Sequence, residues 1–241
     1  LLVGGGLFLS AHTLNMVSNN DGVIAGFLQL MAEAPEKFDM ILSKDNPHYM
    51  SLPGLSVLLG GMWVMNISYW GFNQYIIQRG LAAKNIAEAQ KGVVFAAFLK
   101  LLMPLIVVLP GIAAFSLNPG LEPADKAYPT LMALMPEGLK GLVFAALVAA
   151  IVSSLGSMSN SISTIFTLDV YSKFQCNRSQ QHYVKVGRIV SLIAMVVAIL
   201  TARPLLGELD QAFQYIQEFT GFFTPGVVAL FLLGMFWSKM T

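Results

Sequence analysis

Five apolar stretches, each about 20 residues or longer, determine the kind of solvent in which this chain can fold. They lie at residues 55–78, 92–117, 141–170, 184–206 and 211–237. A helix needs about 20 mostly apolar residues to cross the hydrocarbon core of a bilayer. Only 11% of the residues are charged, whereas soluble domains carry about 25%. The sequence therefore predicts an all-α polytopic membrane protein with five spans.

The first 54 residues do not form a complete span. Residues 1–10 are apolar and glycine-rich but too short to cross, and we expect them to be the end of a helix that begins upstream. Residues 11–54 mix apolar and polar positions, which favours an extramembrane segment with one or two short helices. The single cysteine, Cys176, excludes a disulfide within the chain. No basic face indicates binding to nucleic acid.

Lysine and arginine are distributed unevenly between the loops. The basic residues between spans one and two and between spans three and four are Arg79, Lys84, Lys91, Lys173, Arg178, Lys185 and Arg188. The opposite loops are richer in aspartate and glutamate. Because basic loops tend to stay in the cytoplasm, we expect residues 11–54 on the extracellular or periplasmic side.

Polar side chains inside the expected spans are candidates for function, because a charge at mid-membrane costs about 2.5–3.5 kcal/mol. Lys100 lies within the second span, where it either serves a site in the bundle or extends to the cytoplasmic surface. In the first span, Asn66 and Tyr69 share a helix face, and Gly71 favours a break. Transporters build substrate sites from broken helices, although a continuous helix with a packing glycine would give the same pattern.

Two further helix faces carry hydroxyl and amide groups. Ser153 and Ser154 belong to a stripe of small residues in the third span, which suits either close helix packing or oxygen ligation of a small hard cation. In the fifth span, Gln217 shares a face with Phe213. A glutamine beside an aromatic ring suits a sugar, and it also suits ordinary contacts between helices.

Four segments resemble the sodium:solute symporter family, in particular its bacterial members that carry galactose. The segments are 66–79 (NISYWGFNQYIIQR), 90–92 with 98–100, 149–154 and 211–218. They occur in the family's order and at compatible distances. The resemblance implies an inverted-repeat fold of the LeuT type, of which this chain would hold the end of core helix five and core helices six to ten.

The same resemblance implies roles for individual residues. The positions that match sugar contacts are Asn66, Lys100 and Gln217. Tyr69, with Trp70 beside it, matches an aromatic that covers the sugar on the cytoplasmic side, and Phe213 matches one that lines the outer side. The positions that match the helix-eight part of a sodium site are Ala150, through its carbonyl, Ser153 and Ser154. Ser68 departs from the nearest members, which tend to have tyrosine there. Helix one, which is not in this chain, would supply the remaining sodium oxygens and several sugar contacts.

These roles imply sodium-coupled symport of a hexose, galactose or glucose, by alternating access in a bacterial inner membrane. No nucleophile–base pair, phosphate loop or metal-hydrolase spacing occurs in the sequence, so we do not expect an enzyme. Two alternatives remain. One is a sodium symporter for another small solute, such as an inositol or sialic acid, and the other is a solute sensor that does not transport. We expect sodium as the co-transported ion and lipid as the surroundings, and the sequence leaves the oligomeric state open.

Overall fold

The computed structural model of the chain describes residues 1–46, 49, 54–206 and 212–240, with the backbone alone at 214. Within those residues the regular structure is helical, without strands. The α-helices are α1 (Leu2–Val17), α2 (Val23–Glu33), α3 (Met62–Ile67), α4 (Gln74–Leu81), α5 (Ile86–Lys100), α6 (Leu109–Leu117), α7 (Ala127–Ala133), α8 (Leu139–Thr164), α9 (Ser172–Phe174), α10 (Gln180–Leu206) and α11 (Ala212–Phe236). Parts of two expected segments, residues 47–48 with 50–53 and residue 211, lie outside the described residues.

Among the described residues, four helical runs are long and apolar enough to cross a membrane. They are Ile86–Leu117, Leu139–Phe174, Gln180–Leu205 and Tyr215–Phe236. The first of them begins before the expected residue 92, because the Asn85 side chain caps it by accepting from the Glu88 N–H at 2.9 Å. Lys91 then pairs with Glu88 at 2.9 Å. The predicted all-α polytopic class is confirmed.

The first helix extends beyond the expected residue 10, as far as Val17. Its hydroxyl side chains bond back to the preceding turn: those of Ser10 and Thr13 donate to the carbonyls of Gly6 and Leu9, both at 2.9 Å. The Ser10 hydroxyl also lies within hydrogen-bonding distance of the Leu105 carbonyl. Ser18 follows the last helical residue and precedes two asparagines with positive φ. Polar residues that bond back to the preceding turn therefore do not mark the end of this helix.

The helices α1, α2 and α6 pack around a small buried core, whose members are Leu14, Val17, Leu30, Ile112 and Ala113. Gly26 allows the close crossing of α1 and α2, because a Cβ placed there would lie 1.8 Å from the Leu14 carbonyl oxygen. Glu33 joins α2 to the end of α6 by accepting from the Ser116 hydroxyl at 2.8 Å. Hydrogen bonds from Gln29 and Ser116 lower the pKa of the Glu33 carboxyl.

In the part of the chain that the structure describes, four π-helical segments interrupt the α-helical runs, at Val57–Gly61, Ser68–Phe72, Pro104–Val108 and Ile165–Tyr171. Such segments contain one more residue per hydrogen-bonded turn than an α-helix and are frequent at functional sites. Pro104 begins one of them, in keeping with its missing N–H. In the expected span at 55–78, α-helical and π-helical turns alternate without a gap over residues 55–72, and α4 begins again at Gln74.

The described chain divides into two compact units, Leu1–Ala145 with Asp210–Thr241, and Ala146–Leu209. Within the second unit, α10 approaches α8 closely at Gly187. A Cβ at that position would lie 2.7 Å from the Ser163 hydroxyl oxygen. That hydroxyl donates to the Gly187 carbonyl at 3.0 Å. A small residue and a hydroxyl thus join the two helices, as is typical of packing in membranes.

Candidate functional site

The helix of the first expected span is interrupted at Asn73, whose backbone is extended at φ −84° and ψ 115°. The π-helical segment Ser68–Phe72 leads into this residue, and α4 follows it. The Asn73 side chain caps α4 by accepting from the Tyr75 N–H at 3.3 Å. Gly71, which the sequence suggested as the break, is itself helical, and the interruption lies two residues later.

Lys100, the last residue of α5, lies against two aromatic rings of the interrupted helix. Its Nζ is 4.9 Å from the centre of the Trp70 ring and 5.5 Å from that of Tyr69. The two rings meet edge to face at 5.5 Å. A lysine in this geometry is attracted by the negative faces of the rings. Three of the residues singled out from the sequence therefore meet in one cluster, which we call the Lys100 cluster: Lys100, Tyr69 and Trp70.

Tyr75 joins this cluster from the far side of the interruption. Its hydroxyl lies 2.6 Å from the Tyr69 hydroxyl, and the two rings meet edge to face at 6.0 Å. Sequence reasoning missed this residue. In a continuous helix only residues three or four apart face one another, and Tyr69 and Tyr75 are six apart. The only signal available was the pair of tyrosines on either side of a suspected break.

Asn66 lies one turn before the cluster on the same helix, since Tyr69 and Trp70 follow it by three and four residues. Its side chain is exposed. The Nδ2 group donates to the Met62 carbonyl at 2.8 Å. This bond uses one of the two N–H donors of the amide.

Gln217 and Phe213 lie near the start of α11, and both side chains are exposed. A ring contact between α11 and the interrupted helix lies further along, where Phe231 stacks on Phe72 at 4.6 Å. At 1.5 Å per residue, Gln217 precedes Phe231 by about 21 Å along the helix axis. Among the described hydrogen bonds and ring contacts, none joins Gln217 or Phe213 to the Lys100 cluster or to Asn66. The structure therefore brings together only some of the residues matched to the sugar site.

The residues matched to the sodium site lie in the second unit, in the middle of α8. Ala150 is half-buried, and Ser153 and Ser154 are exposed. The Ser153 carbonyl accepts from the Ser157 hydroxyl at 3.0 Å. Ala150 and Ser153 are three residues apart and share a helix face. Hydroxyl and carbonyl oxygens are ligands that hard cations prefer, so the donor chemistry of these residues fits sodium.

An apolar groove also lies in the first unit, between the start of α1 and residues 139–143. Its walls include Gly4, Phe8 and Leu142. None of the residues singled out from the sequence lines it, and it offers few polar groups that could orient a solute. The groove is therefore a weaker candidate site than the Lys100 cluster.

The sequence profile of the sodium:solute symporter family matches residues 1–241. This chain belongs to that family. It is 52% identical to the sodium/glucose cotransporter of Vibrio parahaemolyticus, over all of this chain and 47% of the relative. It is 33% identical to human sodium/myo-inositol cotransporter 2, over 99% of this chain and 39% of the relative. With mouse sodium/glucose cotransporter 4 it shares 36% identity, over 86% of this chain and 32% of the relative.

The chain thus spans less than half the length of these curated relatives. The resemblance drawn from four segments of the sequence is confirmed by a match along the whole chain. The family and the four apolar helices make this a multi-pass membrane protein. The relatives are cotransporters by name rather than enzymes.

Proposed function

We propose that the full-length protein is a sodium-coupled symporter of a hexose, galactose or glucose, and that this chain provides the second inverted repeat of a LeuT-type fold. The observation that carries the proposal is the 52% identity with a sodium/glucose cotransporter over the entire chain. More distant relatives that share 33–40% identity are named for myo-inositol. The nearer relationship favours a hexose.

The sugar is held by hydrogen bonds from Asn66, Lys100 and Gln217 to its hydroxyls. Tyr69 and Trp70 cover it on the cytoplasmic side, and Phe213 lines the outer side. The position of the Lys100 Nζ, 4.9 Å from the Trp70 ring, supports this arrangement. A sugar ring offers an apolar plane and a rim of hydroxyls, and the Lys100 cluster offers a partner for each. Helix α11 supplies Gln217 when the bundle closes around the sugar.

Sodium is bound by the hydroxyls of Ser153 and Ser154 and by the Ala150 carbonyl, with further oxygens from the remainder of the full-length protein. Its binding favours the outward-open state, and sugar binding then leads to closure and inward opening. Coupling requires that the ligands bind the two states with different affinities. The membrane potential adds about 2.3 kcal/mol per charge per 100 mV to the driving force.

The protein resides in the inner membrane of a bacterium, with residues 11–54 on the periplasmic side. The distribution of Arg79, Lys84, Lys91 and the four bases of residues 173–188 supports this orientation, since basic loops tend to stay in the cytoplasm.

Uptake of labelled galactose into liposomes that contain the full-length protein tests the proposal. We expect saturable uptake that requires an inward sodium gradient and disappears when potassium replaces sodium. Lys100→Ala and Gln217→Ala should weaken it sharply, whereas Lys84→Ala, which removes an exposed loop lysine, should not. Normal transport by both site variants would contradict the assigned sugar contacts, and uptake that ignores sodium would contradict symport.

A second candidate is sodium-coupled transport of myo-inositol. Four relatives that share 39–40% identity with this chain are named sodium/myo-inositol cotransporters. Competition separates the two solutes. If unlabelled myo-inositol suppresses galactose uptake at lower concentration than glucose does, inositol is the preferred cargo. Saturable binding of galactose without any sodium-dependent flux would instead identify a sensor.

A further inference from the structure

Tyr75 holds a position that the proposed sugar contacts do not use. It follows the extended residue Asn73, so its ring turns back toward the π-helical segment instead of continuing along the helix surface. Its hydroxyl meets the Tyr69 hydroxyl at 2.6 Å. The Asn73 side chain accepts from the Tyr75 backbone N–H at 3.3 Å. Both the main chain and the side chain of Tyr75 are thus fixed relative to the interruption.

The Tyr69 side chain needs such a fixed partner. The residue is 38% exposed. Its edge-to-face contacts with Trp70 and Tyr75 and its approach to the Lys100 Nζ are each worth about 0.5–1.5 kcal/mol. A partly exposed ring held only by contacts of this size rotates readily about its side-chain bonds. A hydrogen bond at its outer end restrains this rotation, because the hydroxyl lies farthest from the backbone.

We infer that Tyr75 is a positioning residue for the cytoplasmic gate, whose hydroxyl holds the Tyr69 ring over Lys100 and thereby retains the bound sugar. The inference rests on the proposed function, in which Tyr69 covers the sugar on the cytoplasmic side. Breaking the bond between the two hydroxyls releases the ring and opens the inner side of the site. Tyr75 itself does not touch the sugar. The break at Asn73 allows this arrangement, because it brings together two tyrosines that a continuous helix would keep apart.

A double-mutant cycle on the full-length protein in liposomes tests this inference. Tyr69→Phe and Tyr75→Phe each remove the same hydrogen bond and keep both rings. We expect each variant to weaken equilibrium binding of labelled galactose by about threefold to tenfold, as the loss of one such bond predicts. The double variant should be no weaker than either single variant, because the bond can be lost only once.

Two further readouts separate positioning from a general structural effect. The maximal rate of sodium-driven uptake per transporter should be maintained or raised in Tyr75→Phe, since a loosened gate does not slow release of the sugar, while the galactose concentration at half-maximal rate rises. Sodium binding without sugar should not change. Tyr183→Phe serves as the matched control, because it removes the hydrogen bond that the Tyr183 hydroxyl donates to the Gln175 carbonyl at 2.8 Å in the loop before α10.

The outcomes are distinct. Non-additive losses in galactose affinity with a maintained maximal rate support the inference. If Tyr75→Phe binds galactose like wild type or like Tyr183→Phe, or if the effects of the two variants add, Tyr75 does not act through Tyr69 and the inference fails while the proposed function stands. If the wild-type protein shows no sodium-dependent galactose uptake, the proposed function fails and the inference fails with it.

Discussion

Replacing Gly26 by alanine should destabilise the protein, because α2 crosses α1 at this residue. The added Cβ would lie 1.8 Å from the Leu14 carbonyl oxygen and 2.6 Å from its carbonyl carbon. Ordinary van der Waals contact begins at 3.4 Å, so the methyl group is 1.6 Å too close to a backbone that cannot rotate away. The two helices must separate, and the buried core that includes Leu14 and Leu30 packs less tightly.

The net effect follows from two opposing terms. Overpacking costs about 1–3 kcal/mol, and a clash with backbone belongs at the upper end of that range. Alanine is favoured over glycine in a helix by about 1 kcal/mol. We therefore expect the free energy of unfolding to fall by about 2 kcal/mol.

Thermal unfolding of the full-length protein in detergent, with and without the substitution, measures this loss as a lower transition midpoint. Gly111→Ala in α6 is the matched control, because a Cβ there meets nothing within 4 Å and retains only the gain in helix propensity. If Gly26→Ala unfolds at or above the wild-type midpoint, the close crossing of α1 and α2 is refuted.

Three further predictions concern the candidate sugar contacts, the candidate sodium ligands and the start of α11. Lys100→Gln keeps a hydrogen-bond donor but removes the charge beside Trp70, so galactose affinity should fall less than in Lys100→Ala, as equilibrium binding would show; equal losses would argue against the hydrogen bond. Ser153→Ala should raise the sodium concentration for half-maximal uptake, and an unchanged value would exclude the hydroxyl as a ligand. Asp125→Ala should lower the unfolding midpoint by removing the carboxylate that accepts from the Ala212 N–H at 3.2 Å, worth about 1 kcal/mol. Asp125→Asn keeps an acceptor and should retain most of that stability, which the same unfolding assay checks.

The class of protein and its family were predictable from the sequence because both depend on features of wide extent. A prediction based on apolar stretches of about 20 residues and a low share of charged residues remains correct even when the helix ends are wrong by a few residues. The end of α1 was not predictable in the same way, since Ser10 and Thr13 read as the start of a polar segment until their hydroxyls are seen to bond to the preceding turn.

The site was predictable only where its residues share a helix face or match the family. Lys100 and Trp70 were both singled out, but their contact joins α5 to another helix and leaves no periodic signal. The partnership of Tyr69 and Tyr75 was hidden for a different reason. Periodicity assumes an unbroken helix, and the extended backbone of Asn73 invalidates that assumption at the point where the two hydroxyls meet.

The extended residue at 73 also restricts where lipid can touch this protein. A helix that stops and restarts leaves carbonyls before the gap and amide hydrogens after it without partners on the helix, and hydrocarbon cannot supply them. That sector of the span must therefore stay against protein or water, and acyl chains are confined to the rest of its circumference. Because these polar groups belong to the main chain, side-chain substitutions cannot make this sector apolar.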